Sequence, residues 1–223
     1  MEAVTAIAAN IAAVRRRIEA AAERAGRDPA SVRLVAVSKL FPAEAVIAAY
    51  EAGQRTFGEN RVQEAAQKIE AVAAHAARPE WRLIGRLQTN KARAALGLFD
   101  IIESVDSLRL AQALSARATT DFPVLVEVNV AGEPSKGGFT AGEAVSAVAS
   151  IAALPRLDVR GLMTVAPAAP DPEDVRPIFR ALAMAARRLE LPELSMGMSN
   201  DFEVAVEEGA TVVRIGTAIF GRR

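Results

Sequence analysis

The chain contains no cysteine and only one histidine, one tyrosine and one tryptophan among its 223 residues. Without thiols there is no disulfide, no cysteine nucleophile and no thiolate metal site, and a single imidazole leaves zinc almost no ligands. The absence of cysteine fits a reducing compartment. Charge of one sign is also lacking: 27 lysines and arginines balance 27 aspartates and glutamates. No net field favours nucleic acid or a membrane surface. No segment stays apolar and uncharged for the length a bilayer requires, so the expected location is cytoplasmic. The N-terminal stretch reads as an extra helix rather than a secretory signal, because Glu2 stands where a basic region belongs and the positive charges follow the apolar run. Linkers rich in Pro, Gly or Ser, low-complexity tracts and a G-x-G-x-x-G after the first strand are absent as well, and the economical reading is one domain over residues 1–223.

What is present is a large apolar fraction, 51%, in a regular pattern. Val4, Ile7, Ile11, Val14 and Ile18 recur at three- and four-residue spacing, which predicts an amphipathic N-terminal helix stopped near Gly26. Strands are predicted at Leu34–Ser38, Thr56–Gly58, Trp81–Gly85, Ile101–Ser104, Val124–Asn129, Val159–Val165, Leu194–Met198 and Val212–Ile215. Helical segments such as "VQEAAQKIEAVAAHAA" and "PEDVRPIFRALAMAARRLE" separate them, each long enough to cross back over a sheet. Eight strand–helix alternations indicate an α/β fold, a single (β/α)8 TIM barrel with an extra N-terminal helix; an open doubly wound sheet is the rival.

A barrel places its chemistry at the C-terminal strand ends. There stand Lys39 after the first strand, Asn60 after the second, Met163 and Thr164 at the sixth, Ser199 and Asn200 after the seventh, and Gly216 and Thr217 after the eighth. Each alone is an ordinary strand-end or loop residue. The seventh loop, "SMGMSNDFEVAVEEG", runs into a helix whose first N–H groups would face an anion, and the eighth pairs a glycine with a hydroxyl. These two loops form the usual phosphate site of such barrels. Arg214 interrupts the apolar run "VVRI", and a buried guanidinium needs an acceptor: a carboxylate, for which Glu59 is available, or a ligand ring nitrogen.

Lys39 gives these features one meaning. A lysine in a dry barrel mouth has its charged form disfavoured and its neutral amine free to attack an aldehyde. With a phosphate cradle and an arginine facing a ring, the ligand described is pyridoxal 5′-phosphate. It would be held by an imine to Lys39, by its phosphate at Ser199, Asn200, Gly216 and Thr217, and by its ring nitrogen at Arg214.

The stretches "LVAVSK", "FGENRVQEA", "IGRLQTNK", "VNVAGEPSKGG", "GLMTVAP" and "LSMGMSNDFEVAVEEGATVVRIGTAIFG" resemble the pyridoxal phosphate homeostasis proteins from the first strand to the C-terminus. The resemblance implies a barrel similar to the N-terminal domain of alanine racemases and an imine lysine at Lys39. It also implies phosphate and ring contacts at Ser199, Arg214, Gly216 and Thr217, and a carrier or regulator of the cofactor pool with apo-enzymes as recipients. Arg61, where many members have tyrosine, and Arg86, where proline is common, depart from the pattern.

A two-base racemase needs a second acid or base opposite the lysine. Tyr50 and His75 both fall late in helical segments and so belong at the far end of the barrel. A cofactor holder without fast turnover is therefore expected, with a racemase-like enzyme or a Schiff-base aldolase on a sugar phosphate as alternatives. Lys136, in "GEPSKGG", is the next lysine in line as an anchor and reads as a solvated loop charge.

Overall fold

The computed structural model describes residues 2–75, 77–133 and 136–221; the side chain of Val4, placed on the first helix by its spacing, lies outside what is described. Helix α1, Glu2–Arg24, buries Ile7, Ile11, Val14 and Ile18 as its periodicity requires. Gly26 follows with φ 64°, in the left-handed region that ends the helix. The chain then alternates: β1 Arg33–Val37, α2 Ala43–Glu51, β2 Thr56–Glu59, α3 Val62–Ala74, β3 Glu80–Leu83, α4 Ala92–Leu98, β4 Ile101–Val105, α5 Leu108–Ser115 and β5 Phe122–Asn129. After these come β6 Phe139–Thr140, α6 Ala144–Ala152, β7 Leu157–Met163, α7 Arg176–Arg188, β8 Glu193–Ser195, α8 Phe202–Glu207, β9 Val212–Ile215 and α9 Thr217–Phe220.

The strands pair in the order β4-β3-β2-β1-β9-β8-β7-β5, every pairing is parallel, and β4 pairs with β5 to close the ring. The result is the closed eight-stranded barrel expected from the alternation, and the doubly wound sheet is ruled out. Strand bounds shift from the expectation by one to three residues; the largest changes are at the sixth and seventh predicted strands, which end at Met163 and Ser195. The two-residue β6 was not foreseen: it hangs on the edge of β5 through Val128 and Phe139.

Side chains alternate across each strand. Phe57, Ile102, Val126, Leu162 and Val213 point outward into the main apolar layer under the helices. The barrel interior is different, with a small apolar group of Ile101, Leu125 and Met163 beside a buried polar chain. In that chain Arg82 donates to Glu103 (2.9 Å), Ser195 donates to Glu103 (2.5 Å) and Arg214 donates to Ser195 (2.6 Å).

Candidate functional site

At the C-terminal ends of the strands a cavity of about 530 Å³ opens. Its wall contains Lys39, Asn60, Ser199, Asn200, Arg214, Gly216 and Thr217, residues contributed by the loops after β1, β2, β8 and β9 and by β9 itself. Val37, Ile84, Val165, Ala166 and Pro167 supply an apolar side. Met163, also expected there, is absent from the wall and lies lower, packed with Ile101 and Leu125 inside the barrel. Tyr50 and His75 are at the opposite end, as their helix positions predict. The Arg55 guanidinium, just before β2, lies 4.3 Å over the Tyr50 ring, and His75 caps α3 near Glu51.

Lys39 sits in a tight turn: the Phe41 N–H donates to the Ser38 carbonyl at 3.0 Å, and Leu40 has φ 63°. This is the hydrogen bond and third-residue conformation of a type II turn, which ordinarily requires glycine at the position Leu40 holds. Lys39 itself is half-buried at the rim.

Arg214 is buried, and its partner is not the one expected. Its guanidinium donates to Ser195 Oγ and to the Thr164 carbonyl (2.7 Å), with Glu103 at 4.0 Å. Glu59 instead faces outward with Phe57, where it accepts from Lys68 (2.5 Å) and Ser38 (2.7 Å). The reason is alternation, since on β2 it is Gly58 that packs inward, against Val35 and Ile84. Burial pulls the Arg214 guanidinium below its ordinary pKa, against the opposing pull of Glu103, Glu127 and Asp201. With donors only, and some of them still unused, Arg214 can offer a hydrogen bond to an acceptor in the cavity.

The seventh loop is more occupied than expected. The N–H of Met198 donates to Asp201 Oδ1 (2.6 Å), and those of Asp201 and Phe202 to the Met198 carbonyl, so the start of α8 offers fewer free amides than its sequence suggests. Burial raises the Asp201 carboxyl, opposed by the Met198 amide and Arg214. Ser199 Oγ and the Thr217 hydroxyl remain on the wall, and Ala218 N–H reaches Ser199 Oγ at 3.5 Å, tying the two loops together. Gly197, at φ 93°, is required here because a Cβ would lie 2.6 Å from that of Ala205. Asn60 contributes a side-chain Oδ1 that is buried without a hydrogen-bond partner, an acceptor in want of a donor.

Lys136, read from the sequence as the second candidate anchor but more as a solvated loop charge, is not a free loop charge. It lines this cavity, held by Glu133 (2.7 Å) and the Val165 carbonyl (3.2 Å). Arg86 lies outside, in a separate cleft of about 880 Å³ with Gln88, Asn90, Asp106 and Arg109, while Arg61 is exposed at the start of α3. Among the described residues no group of acidic and imidazole side chains could hold a metal ion, and no helix is long and apolar enough to cross a membrane.

A lysine-bearing cavity at the mouth of a closed parallel barrel defines a class, and the family model for the alanine racemase N-terminal domain matches residues 9–223. The alanine racemase of Corynebacterium glutamicum shares the fold, at 23% identity and a TM-score of 0.73 over 99% of this chain and 62% of that one. The pyridoxal phosphate homeostasis protein of Aquifex aeolicus is 45% identical over 216 residues, covering 93% of this chain and 94% of the relative. PipY of Synechococcus elongatus PCC7942, solved with PLP bound, is 38% identical, with a TM-score of 0.81 over 96% of this chain and 100% of that one. The chain belongs to the pyridoxal phosphate homeostasis protein family.

Proposed function

We propose that this protein binds pyridoxal 5′-phosphate in the barrel-mouth cavity, with Lys39 as its covalent attachment point, and serves as a cytoplasmic holder of the cofactor. The observation that carries the reading is one cavity in which an amine, a buried guanidinium and two hydroxyl-bearing loops converge. The family relatives named for the homeostasis of this cofactor, and the PLP-bound PipY, support it.

The residues present fit the group. A cavity of about 530 Å³ is of the size that small cofactors occupy. The orphaned Asn60 Oδ1 is an acceptor without a donor on a residue of its wall, and Ser199, Thr217 and Arg214 supply donors of the kind that a phosphate and a ring nitrogen accept. Lys39 would hold the aldehyde carbon; Ser199, Asn200, Gly216 and Thr217 the phosphate; Arg214 the ring nitrogen. When bound, the cofactor supplies an aldehyde that condenses reversibly with primary amines.

Arg214 separates a holder from a fast catalyst. Having no acceptor, it can hold only an unprotonated ring nitrogen, and an unprotonated ring is a weak electron sink. Among the described residues no tyrosine or histidine reaches the wall to serve as a second base, and the amine of Lys136 is engaged by the Glu133 carboxylate. This supports holding and release over fast turnover, with apo-enzymes that need the cofactor as the recipients. Titrating purified protein with pyridoxal 5′-phosphate tests the reading: a new near-ultraviolet or visible band should saturate in wild type and be lost in Lys39→Ala. An unchanged band in that variant would refute it.

A further inference from the structure

The attachment lysine is fixed from behind by an ion cluster that touches no part of the cavity. The two peptide units flanking Lys39 are both held by it. The first, between Ser38 and Lys39, carries the Ser38 carbonyl, which accepts from Lys68 Nζ at 2.7 Å. The second, between Lys39 and Leu40, carries the Leu40 N–H, which donates to Glu64 Oε1. Lys68 joins them: its ammonium also contacts Glu59 Oε1 at 2.5 Å and Glu64 Oε1 at 3.3 Å, and Glu59 in turn accepts from Ser38 Oγ at 2.7 Å. Glu64 and Lys68 stand four residues apart on α3, on one face of that helix, which turns them together toward the β1 loop. Lys68 and Glu59 are both buried.

The clamp has a load to hold. Leu40 is a non-glycine residue in the left-handed region, and it is 59% exposed, so packing does not keep it there. The hydrogen bond from the Phe41 N–H to the Ser38 carbonyl and the Glu64 carboxylate on the Leu40 N–H do. Without the Glu64 contact the turn hydrogen bond alone opposes a left-handed conformation disfavoured by about tenfold, and the turn that aims Lys39 loosens.

We propose that Lys68 and Glu64 are positioning residues for Lys39: they lock the strained turn that presents its amine to the cavity. This rests on Lys39 being the attachment point, and the test separates the two claims. The probes are pyridoxal 5′-phosphate, which can attach to an amine, and pyridoxine 5′-phosphate, which has the same ring and phosphate but a hydroxymethyl group in place of the aldehyde. Wild type should bind the first more tightly, and Lys39→Ala should erase the preference. Loss of the clamp in Lys68→Met or Glu64→Ala should weaken pyridoxal 5′-phosphate about tenfold and leave pyridoxine 5′-phosphate within about twofold. Glu64→Gln keeps an oxygen for the Leu40 N–H and should behave as wild type. Glu64 is partly exposed, so its variants remain informative if Lys68→Met fails to fold. Equal weakening of both ligands, or of neither, would overturn the positioning role. A wild type without preference for the aldehyde would overturn the attachment reading, and the clamp with it.

Discussion

Replacing Glu103 by Gln tests whether the barrel interior and the cofactor site form one unit. Glu103 is buried on β4 and is the common acceptor of the interior chain, taking hydrogen bonds from Arg82 and Ser195, with Arg214 4.0 Å away. Gln has the same shape, so no cavity opens, but it removes the only carboxylate that, among the described residues, lies within 4.0 Å of Arg214. Breaking a buried ion pair costs about 3–5 kcal/mol. Arg82 retains Glu80 (2.6 Å) and Glu193 (3.0 Å), which places the expected loss at the lower end, about 3 kcal/mol. For a chain of this length that is roughly 6–12 °C in Tm. The amide nitrogen must also donate where the carboxylate accepted, so Ser195 Oγ receives hydrogen bonds from both sides and turns away from its present partner. Arg214 loses its support along with its counter-ion, and affinity for pyridoxine 5′-phosphate, which reads ring and phosphate contacts without attachment, should fall about tenfold. Thermal unfolding and ligand titration on the same samples give both numbers. A Tm drop with unchanged affinity would refute the link between the interior chain and the site.

Burial raises the Glu59 carboxyl above its ordinary range, with Lys68 and Ser38 opposing the shift. A carboxyl raised on folding is destabilising when ionised, so removing the opposing cation in Lys68→Met should cost most at neutral pH. The stability gap to wild type should shrink as pH falls toward the unfolded carboxyl value of about 4.3; urea unfolding across that interval measures it, and a constant gap would contradict the assignment. Thr217→Val removes a phosphate donor at nearly constant volume and should weaken cofactor binding by about 1.5–3 kcal/mol, roughly one to two decades in Kd by titration. The loaded protein, incubated with L-alanine in deuterated buffer, should exchange the α-proton slowly and form D-alanine well below about 1 s⁻¹; chiral chromatography and mass spectrometry read the two products.

Arg214 was legible because a charge inside "VVRI" must be buried and must be paired. Glu103 sends the same signal from "DIIESV", but which buried acid meets which buried base depends on strands brought together across a closed barrel, and no local pattern reports that. Proximity at a strand end suggested Glu59; alternation turns it outward to Lys68. Lys68 was invisible for a related reason, since a lysine in a helical run reads as solvated until the helix is docked. Lys39 was legible because it follows a short apolar run by a single residue, whereas the reach of Lys136 into the cavity depends on the path of its loop. The barrel came from repetition of strand and helix, a signal strong enough to survive boundary errors, while a two-residue strand such as β6 carries no periodicity at all.

The central claim is that Lys39 carries the cofactor. Protein mixed with pyridoxal 5′-phosphate, reduced with borohydride, digested and mapped by mass spectrometry should bear the added pyridoxyl phosphate on the peptide containing Lys39, with none there in Lys39→Ala. Label on Lys136, or spread over surface lysines at equal yield, would contradict the account.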